Sequence, residues 1–264
     1  MCQLLGVSVS EPISLRLSWA QFAQRGSEQW GNADGWGVAY FSNRDVLLLR
    51  EPAPAAESPM VRFLEHCAPP SAQIISHVRR ASVGVQCLEN TQPFIRRLAG
   101  RAHVFAHNGF VADTNPAVEE IFLSPLGDTD SEWLFGLLLS RLVPLWRRGV
   151  PPSLDARVGI IEEFARDLCP RGALNFLYCD GETLFAHGHR HTVPGEAISD
   201  DPGLYVLQRD GRSSEDPIAP CAGLECDGAG GPHALIASVP LDDQTWIPLR
   251  PGEVACFEGG QRVR

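Results

Sequence analysis

Met1-Cys2-Gln3-Leu4-Leu5-Gly6-Val7-Ser8-Val9-Ser10-Glu11-Pro12 opens the chain. Residues 2–9 alternate weakly between apolar and polar and predict a strand. Removal of the initiator Met, expected before a small residue, would leave Cys2 at the terminus. Its thiol and its α-amine would then share one carbon skeleton. A thiol of pKa ~8.5 and an α-amine of ~7.7–8.0 are matched well enough for the amine to act as base, directly or through a water. The plainer reading is a Cys buried in an N-terminal strand. The stretch lacks the basic start and long apolar core of a secretion signal. No run of about 18 apolar residues occurs either, because LFGLLLSRLVPLW (134–146) is broken by Arg141 and Pro144. The expected location is the cytoplasm, with no membrane partner.

Outward from this strand, residues 14–25 have helical spacing, with Ser14 as a candidate cap. VAYF (38–41) and VLLLRE (46–51) flank a Ser42–Asp45 turn and predict a hairpin. Residues 58–67 predict a helix, QIISHVRRA (73–81) a strand, and HVFAHNGFV (103–111) a strand with Asn108-Gly109 at its end. Asp130 to Arg148 predicts the strongest amphipathic helix, and 153–168 a second. NFLYCD, ETLFAH, LYVLQ, ALIAS and EVACFE follow as short strands. The strands come in runs and the helices in two groups. That pattern predicts an α+β fold of antiparallel sheets with helices layered on them, not a doubly wound parallel sheet. Residues 209–232 read as a surface insertion. Residues 1–264 read as one domain, with Met1 removed.

Composition narrows the chemistry. The 264 residues carry 22 cations and 32 anions, a net charge of -10, and every cation is Arg. The absence of Lys excludes a Schiff-base lysine, a GxxxxGK[ST] phosphate loop and a serine–lysine hydrolase. The acidic balance argues against a nucleic-acid partner. The eight cysteines form no paired C-x-x-C pattern, so no zinc site is expected. Cys221 and Cys226 are closer to a disulfide, or to coincidence, than to a metal site. His187, His189 and His191 alternate at a strand end, but Arg190 lies among them and no acidic partner pattern accompanies them. No metal or cofactor is expected.

Four further segments carry polar side chains: Asn32-Ala33-Asp34-Gly35-Trp36-Gly37, His77-Val78-Arg79-Arg80-Ala81-Ser82, Ala106-His107-Asn108-Gly109-Phe110 and Gly127-Asp128-Thr129-Asp130-Ser131-Glu132. Each has an ordinary reading: an Arg pair on a solvated edge, an Asn-Gly turn, a helix cap. Together, and in this order after MCQLLG, they resemble the class II glutamine amidotransferases, whose nucleophile is an N-terminal cysteine. Asn90-Thr91-Gln92-Pro93-Phe94, Leu174-Asn175-Phe176 and IASVPLDDQTWIPLRPGEV (236–254) resemble the stand-alone, single-domain branch. That branch often has His where Asn32 and Gln92 stand.

The resemblance implies a four-layer αββα sandwich and a set of roles. Cys2 would attack the side-chain amide of glutamine. Asn108 and the backbone N–H of Gly109 would hold the oxyanion. Arg79 rather than Arg80 would clamp the α-carboxylate, and Asp130 the α-ammonium. Trp36 would wall the pocket or, equally, anchor a tight turn. His107 joins the substrate-binding set as a supporting residue, not a base. Asn175 would support the N-terminal amine. The implied activity is a glutaminase, or an amidotransferase passing ammonia to a separate synthase partner. Hydrolysis of another γ-glutamyl amide and a non-catalytic γ-glutamyl sensor are the rivals.

Overall fold

The computed structural model describes residues 2–17, 34–80, 84–112, 124–146, 150–191, 201–211, 224–227 and 231–264. Two antiparallel sheets are stacked. The first has the order β12-β9-β11-β1-β4-β2-β3, with β10 also paired to β1. Its strands are β1 (Gln3–Leu17), β2 (Gly35–Ser42), β3 (Asp45–Glu51), β4 (Pro70–Arg79), β9 (Tyr205–Arg209), β10 (Leu224–Asp227), β11 (His233–Ala237) and β12 (Ile247–Pro248). The second has the order β14-β13-β8-β7-β6-β5. It contains β5 (Phe94–Leu98), β6 (Arg101–Val111), β7 (Gly172–Cys179), β8 (Leu184–Gly188), β13 (Glu253–Glu258) and β14 (Gln261–Arg262).

Helix α1 (Pro59–Cys67) covers the first sheet, and α2 (Asp130–Leu142) and α3 (Leu154–Leu168) cover the second. Each starts where the sequence supplies a cap: Ser58 accepts from Met60 and Val61, Thr129 from Glu132, Ser153 from Ala156. Three apolar layers result. Val61 and Leu64 meet Leu5, Val7 and Trp36 on the outer face of the first sheet. Phe135, Leu138 and Phe164 meet Phe105 and Phe176 outside the second. Leu4, Ile75, Val104, Ala106 and Leu177 fill the space between the sheets. Each buried Val, Leu, Ile or Phe among them contributes about 1.5–3 kcal/mol. The sheets approach closely at Gly6, where an added Cβ would lie 3.1 Å from Leu177.

The α+β sandwich agrees with the sequence pattern, and three local expectations need correction. Ser14–Leu17 is strand, not the start of a helix; residues 18–25 lie outside the described residues. Ser14 pairs with Pro70 and Asp227, and Leu15 with Cys226. The run Ile13-Ser14-Leu15-Arg16-Leu17 also fits a period of two, and pairing to β4 and β10 selects it. Helix α2 stops at Leu142 rather than Arg148, because Pro144 cannot donate a helical N–H. Within 209–232, expected as a surface insertion, residues 224–227 form β10 and pair with β1.

Candidate active site

Strand alternation delivers three side chains to one end of the space between the sheets. On β1, Leu5, Val7 and Val9 face α1, whereas Leu4 faces the second sheet. Cys2, two residues before Leu4, shares the inner face. On β4, Ile75 faces inward and Ile74 and Val78 outward, which puts Arg79 on the inner face. On β6, Val104 and Ala106 face inward and Phe105 outward, which puts Asn108 inward as well.

The Cys2 thiol is held by the Arg80 backbone. Its S–H donates to the Arg80 carbonyl at 3.2 Å, and Sγ accepts from the Arg80 N–H at 3.1 Å. Burial pushes the thiol pKa up; the Arg80 N–H and the Arg79 charge work against this, and the Asp130 carboxylate adds to it. Arg79 and Asp130 therefore both act electrostatically on the Cys2 thiol.

Asn108 Nδ2 donates to the Cys2 carbonyl at 2.9 Å and to Ser238 Oγ at 3.3 Å. Gly109 has φ +145°, and a Cβ there would lie 2.1 Å from the Ala173 carbonyl oxygen. Glycine is thus required on steric and conformational grounds. Arg79 is only 3% exposed, yet its guanidinium makes long bonds to the carbonyls of Gly84 (3.2 Å) and Val85 (3.4 Å). A carboxylate accepts more strongly than a peptide carbonyl and would compete well for this fork. Asp130 is the first residue of α2, and its Oδ2 accepts from the Val111 N–H at 3.0 Å. The helix cap and the site residue therefore coexist in the same segment.

Trp36 and His107 stand elsewhere. Trp36 is fully buried on the α1 side of β2, with Nε1 donating to Glu51 Oε2 at 3.0 Å. His107 lies on the α2 side of β6, with Nδ1 2.9 Å from Ser131 Oγ and 4.0 Å from Asp130 Oδ2, and Nε2 3.2 Å from the Ala173 carbonyl. It reaches the site through α2, whose first turn it holds. Burial lowers its pKa; Asp130 and the Ala173 carbonyl offset this.

Asn175 is held by backbone groups of β6 and of the chain just beyond β8. Its Nδ2 donates to the carbonyls of Asn108 (3.1 Å) and Arg190 (2.8 Å), and its Oδ1 accepts from the His189 N–H (2.7 Å). Both amide hydrogens are thus engaged with backbone. Ser238 was not foreseen; only tertiary pairing brings it to Leu4 and Asn108. Among the described residues no group of three His, Cys, Asp or Glu could hold a metal, and no helix is long and apolar enough to cross a membrane. Asn32, Cys221 and the side chain of Cys226 lie outside what is described.

The chain has clear relatives. Residues 1–210 match the family of class-II glutamine amidotransferases. The chain belongs to that family. It is 30% identical to YafJ of Escherichia coli K12 over 271 residues, with both chains covered in full. It also resembles the crystal structure of a glutamine amidotransferase predicted in Pseudomonas aeruginosa PA01, with a TM-score of 0.69, 27% identity and full coverage of both chains. The Bacillus subtilis glutamine phosphoribosylpyrophosphate amidotransferase shares the fold at 16% identity and a TM-score of 0.63. That match covers 99% of this chain and 48% of the other.

Proposed function

We propose that this class II amidotransferase hydrolyses the side-chain amide of glutamine through a Cys2 thioester. One observation carries the reading: Cys2, Arg79 and Asn108 share one end of the inter-sheet space, and the Asp130 carboxylate at the start of α2 acts electrostatically on the Cys2 thiol. Once Met1 is removed, the α-amine takes the thiol proton and Sγ bonds to the amide carbon. Asn108 and the Gly109 N–H stabilise the oxyanion. The C–N bond then breaks, and the amine returns the proton to departing ammonia. Water attacks the thioester, releasing glutamate and restoring the thiol. The raised thiol pKa makes a base necessary at neutral pH. Arg79 and Asp130 select the α-carboxylate and α-ammonium. Trp36 and His107 support the pocket from behind. The ammonia passes to a synthase partner or to water.

A second reading has one specific observation in its favour. Phe110 is 44% exposed and lies two residues beyond Asn108 on the same face of β6. A bulky apolar group beside the oxyanion donors suits a γ-glutamyl amide with a larger substituent on nitrogen. The test for both is glutamate release from glutamine and from γ-glutamyl anilide by protein of verified mass, with Cys2→Ala as control. Release from glutamine that Cys2→Ala abolishes supports the glutaminase. Release from the anilide alone supports the second reading. Activity that survives Cys2→Ala defeats both, and inactivity of Met1-free protein on either substrate favours the sensor.

A further inference from the structure

Two ladders of the second sheet stop just short of the candidate oxyanion hole. The last rung between β5 and β6 is Phe94↔Phe105, and the last between β7 and β8 is Phe176↔His187. Beyond each, a side-chain amide takes the place of the missing backbone. The His107 N–H donates to Gln92 Oε1 at 2.6 Å, and Gln92 Nε2 donates to the His107 carbonyl at 3.1 Å. The Asn175 amide likewise accepts from His189 and donates to Arg190, while its Nδ2 also reaches Asn108. A hydrogen-bonded antiparallel pair exchanges both N–H···O bonds, and a primary amide presents the same donor and acceptor as a peptide. Gln92 is only 5% exposed. Its backbone has closed against β2, where a Cβ on Gly37 would lie 2.3 Å from the Gln92 carbonyl oxygen.

The strand bearing Asn108 and Gly109 is therefore held on both edges just where regular pairing on one edge has ended. We propose that Gln92 is a positioning residue for the oxyanion hole. By completing the rung at His107 it fixes the next two residues, the Asn108 amide and the Gly109 N–H, against the thiol of Cys2. The inference rests on the thioester reading for its catalytic consequence, and on the hydrogen bonds alone for its mechanical one. Such donors act only when held in place before the charge develops, and a displacement of about 1 Å can cost about a hundredfold in rate.

The test is Gln92→Glu, which keeps the length and the acceptor but removes the donor to His107. The kcat for γ-glutamyl amide hydrolysis should fall about ten- to a hundredfold, with KM within about threefold. Alkylation of Cys2 by iodoacetamide, a displacement that needs no oxyanion hole, should keep its rate. Amide exchange at His107, Asn108 and Gly109 should accelerate. Unchanged kcat in a folded variant, or equal losses in turnover and alkylation, would overturn the proposal. Should the buried carboxylate prevent folding, Gln92→Met carries the same test. In the unaltered protein the His107 amide must exchange as slowly as that of Phe105; rapid exchange there also overturns it. If the unaltered enzyme turns over no γ-glutamyl amide, the thioester reading fails, and exchange in the variant decides the brace by itself.

Discussion

The side-chain amide of Asn108 donates to the main-chain carbonyl of Cys2 at 2.9 Å, linking residues 106 positions apart and joining the two sheets. On the proposed thioester route, the contact places the oxyanion donor beside the backbone of the attacking cysteine. Asn108→Ala should therefore lower kcat by about 10²–10³-fold, the usual cost of one oxyanion donor. KM should change little, because the charge it meets exists only in the transition state. Steady-state kinetics with glutamine and γ-glutamyl anilide checks this, and a kcat within threefold of the parent, roughly the scatter of such measurements, refutes the role.

Arg79 should show the opposite split. Arg79→Lys keeps the charge but loses the planar fork. A charge-assisted hydrogen bond is worth about 1.5–3 kcal/mol, so KM should rise by about 10–100-fold with kcat largely kept. A γ-glutamyl substrate with its α-carboxylate amidated should lose most of its discrimination between the two enzymes. Equal KM values would remove Arg79 from substrate recognition.

Acid should unfold the protein through buried histidines. Burial holds the His77 imidazole down to about 3, and those of His103 and His187 to about 4. In the unfolded chain each takes its proton near pH ~6.5. Below that value, and above the folded values, the unfolded state binds more protons, so stability rises with pH and falls on acidification. Each histidine contributes a slope of about 1.4 kcal/mol per pH unit in that window, and its full contribution is present above pH ~6.5. Urea unfolding at a series of pH values from neutrality downward measures this. A profile that stays flat on acidification contradicts it. His77 is the sharpest case, because both of its ring nitrogens are buried without a hydrogen-bond partner among the described residues.

Arg157 supplies a prediction about stability rather than catalysis. It is buried on α3 and donates to Asp180 Oδ2 at 2.6 Å and to Thr183 Oγ1 at 3.0 Å. Arg157→Ala should destabilise by about 3–5 kcal/mol, because Asp180, itself fully buried, loses its cationic partner. Chemical denaturation reads this directly. A loss below about 1 kcal/mol, the range of an exposed pair, would refute it. Cys2 alkylation in the folded variant should be unaffected.

Much of this molecule is written in local pattern. Short apolar runs bounded by turns marked β2, β3, β6 and β7, helical spacing marked the three helices, and Thr129 lay in a readable capping segment, because these signals depend on residues a few positions apart. Cys2, Arg79, Asn108 and Asp130 stand out in the sequence as candidates for chemistry because their residue types and order form a recognisable series. Other features depended on distant chain. The run at 14–17 fits both helix and strand spacing, and only β4 and β10 select the strand. His107 sits beside Asn108 in sequence but faces outward in space, because adjacent residues of a strand point to opposite sides, and Trp36 likewise faces the outer side of β2. Gln92, Asn175 and Ser238 gave no sign of their partners, since a side-chain amide or hydroxyl can bond any backbone group that folding brings to it. The sequence by itself determined the strand and helix periods and the kinds of reactive group. The tertiary structure alone decided which ladders end early and which side chains complete them, because hydrogen bonds across 15 to 130 residues exist only once the sheets have stacked.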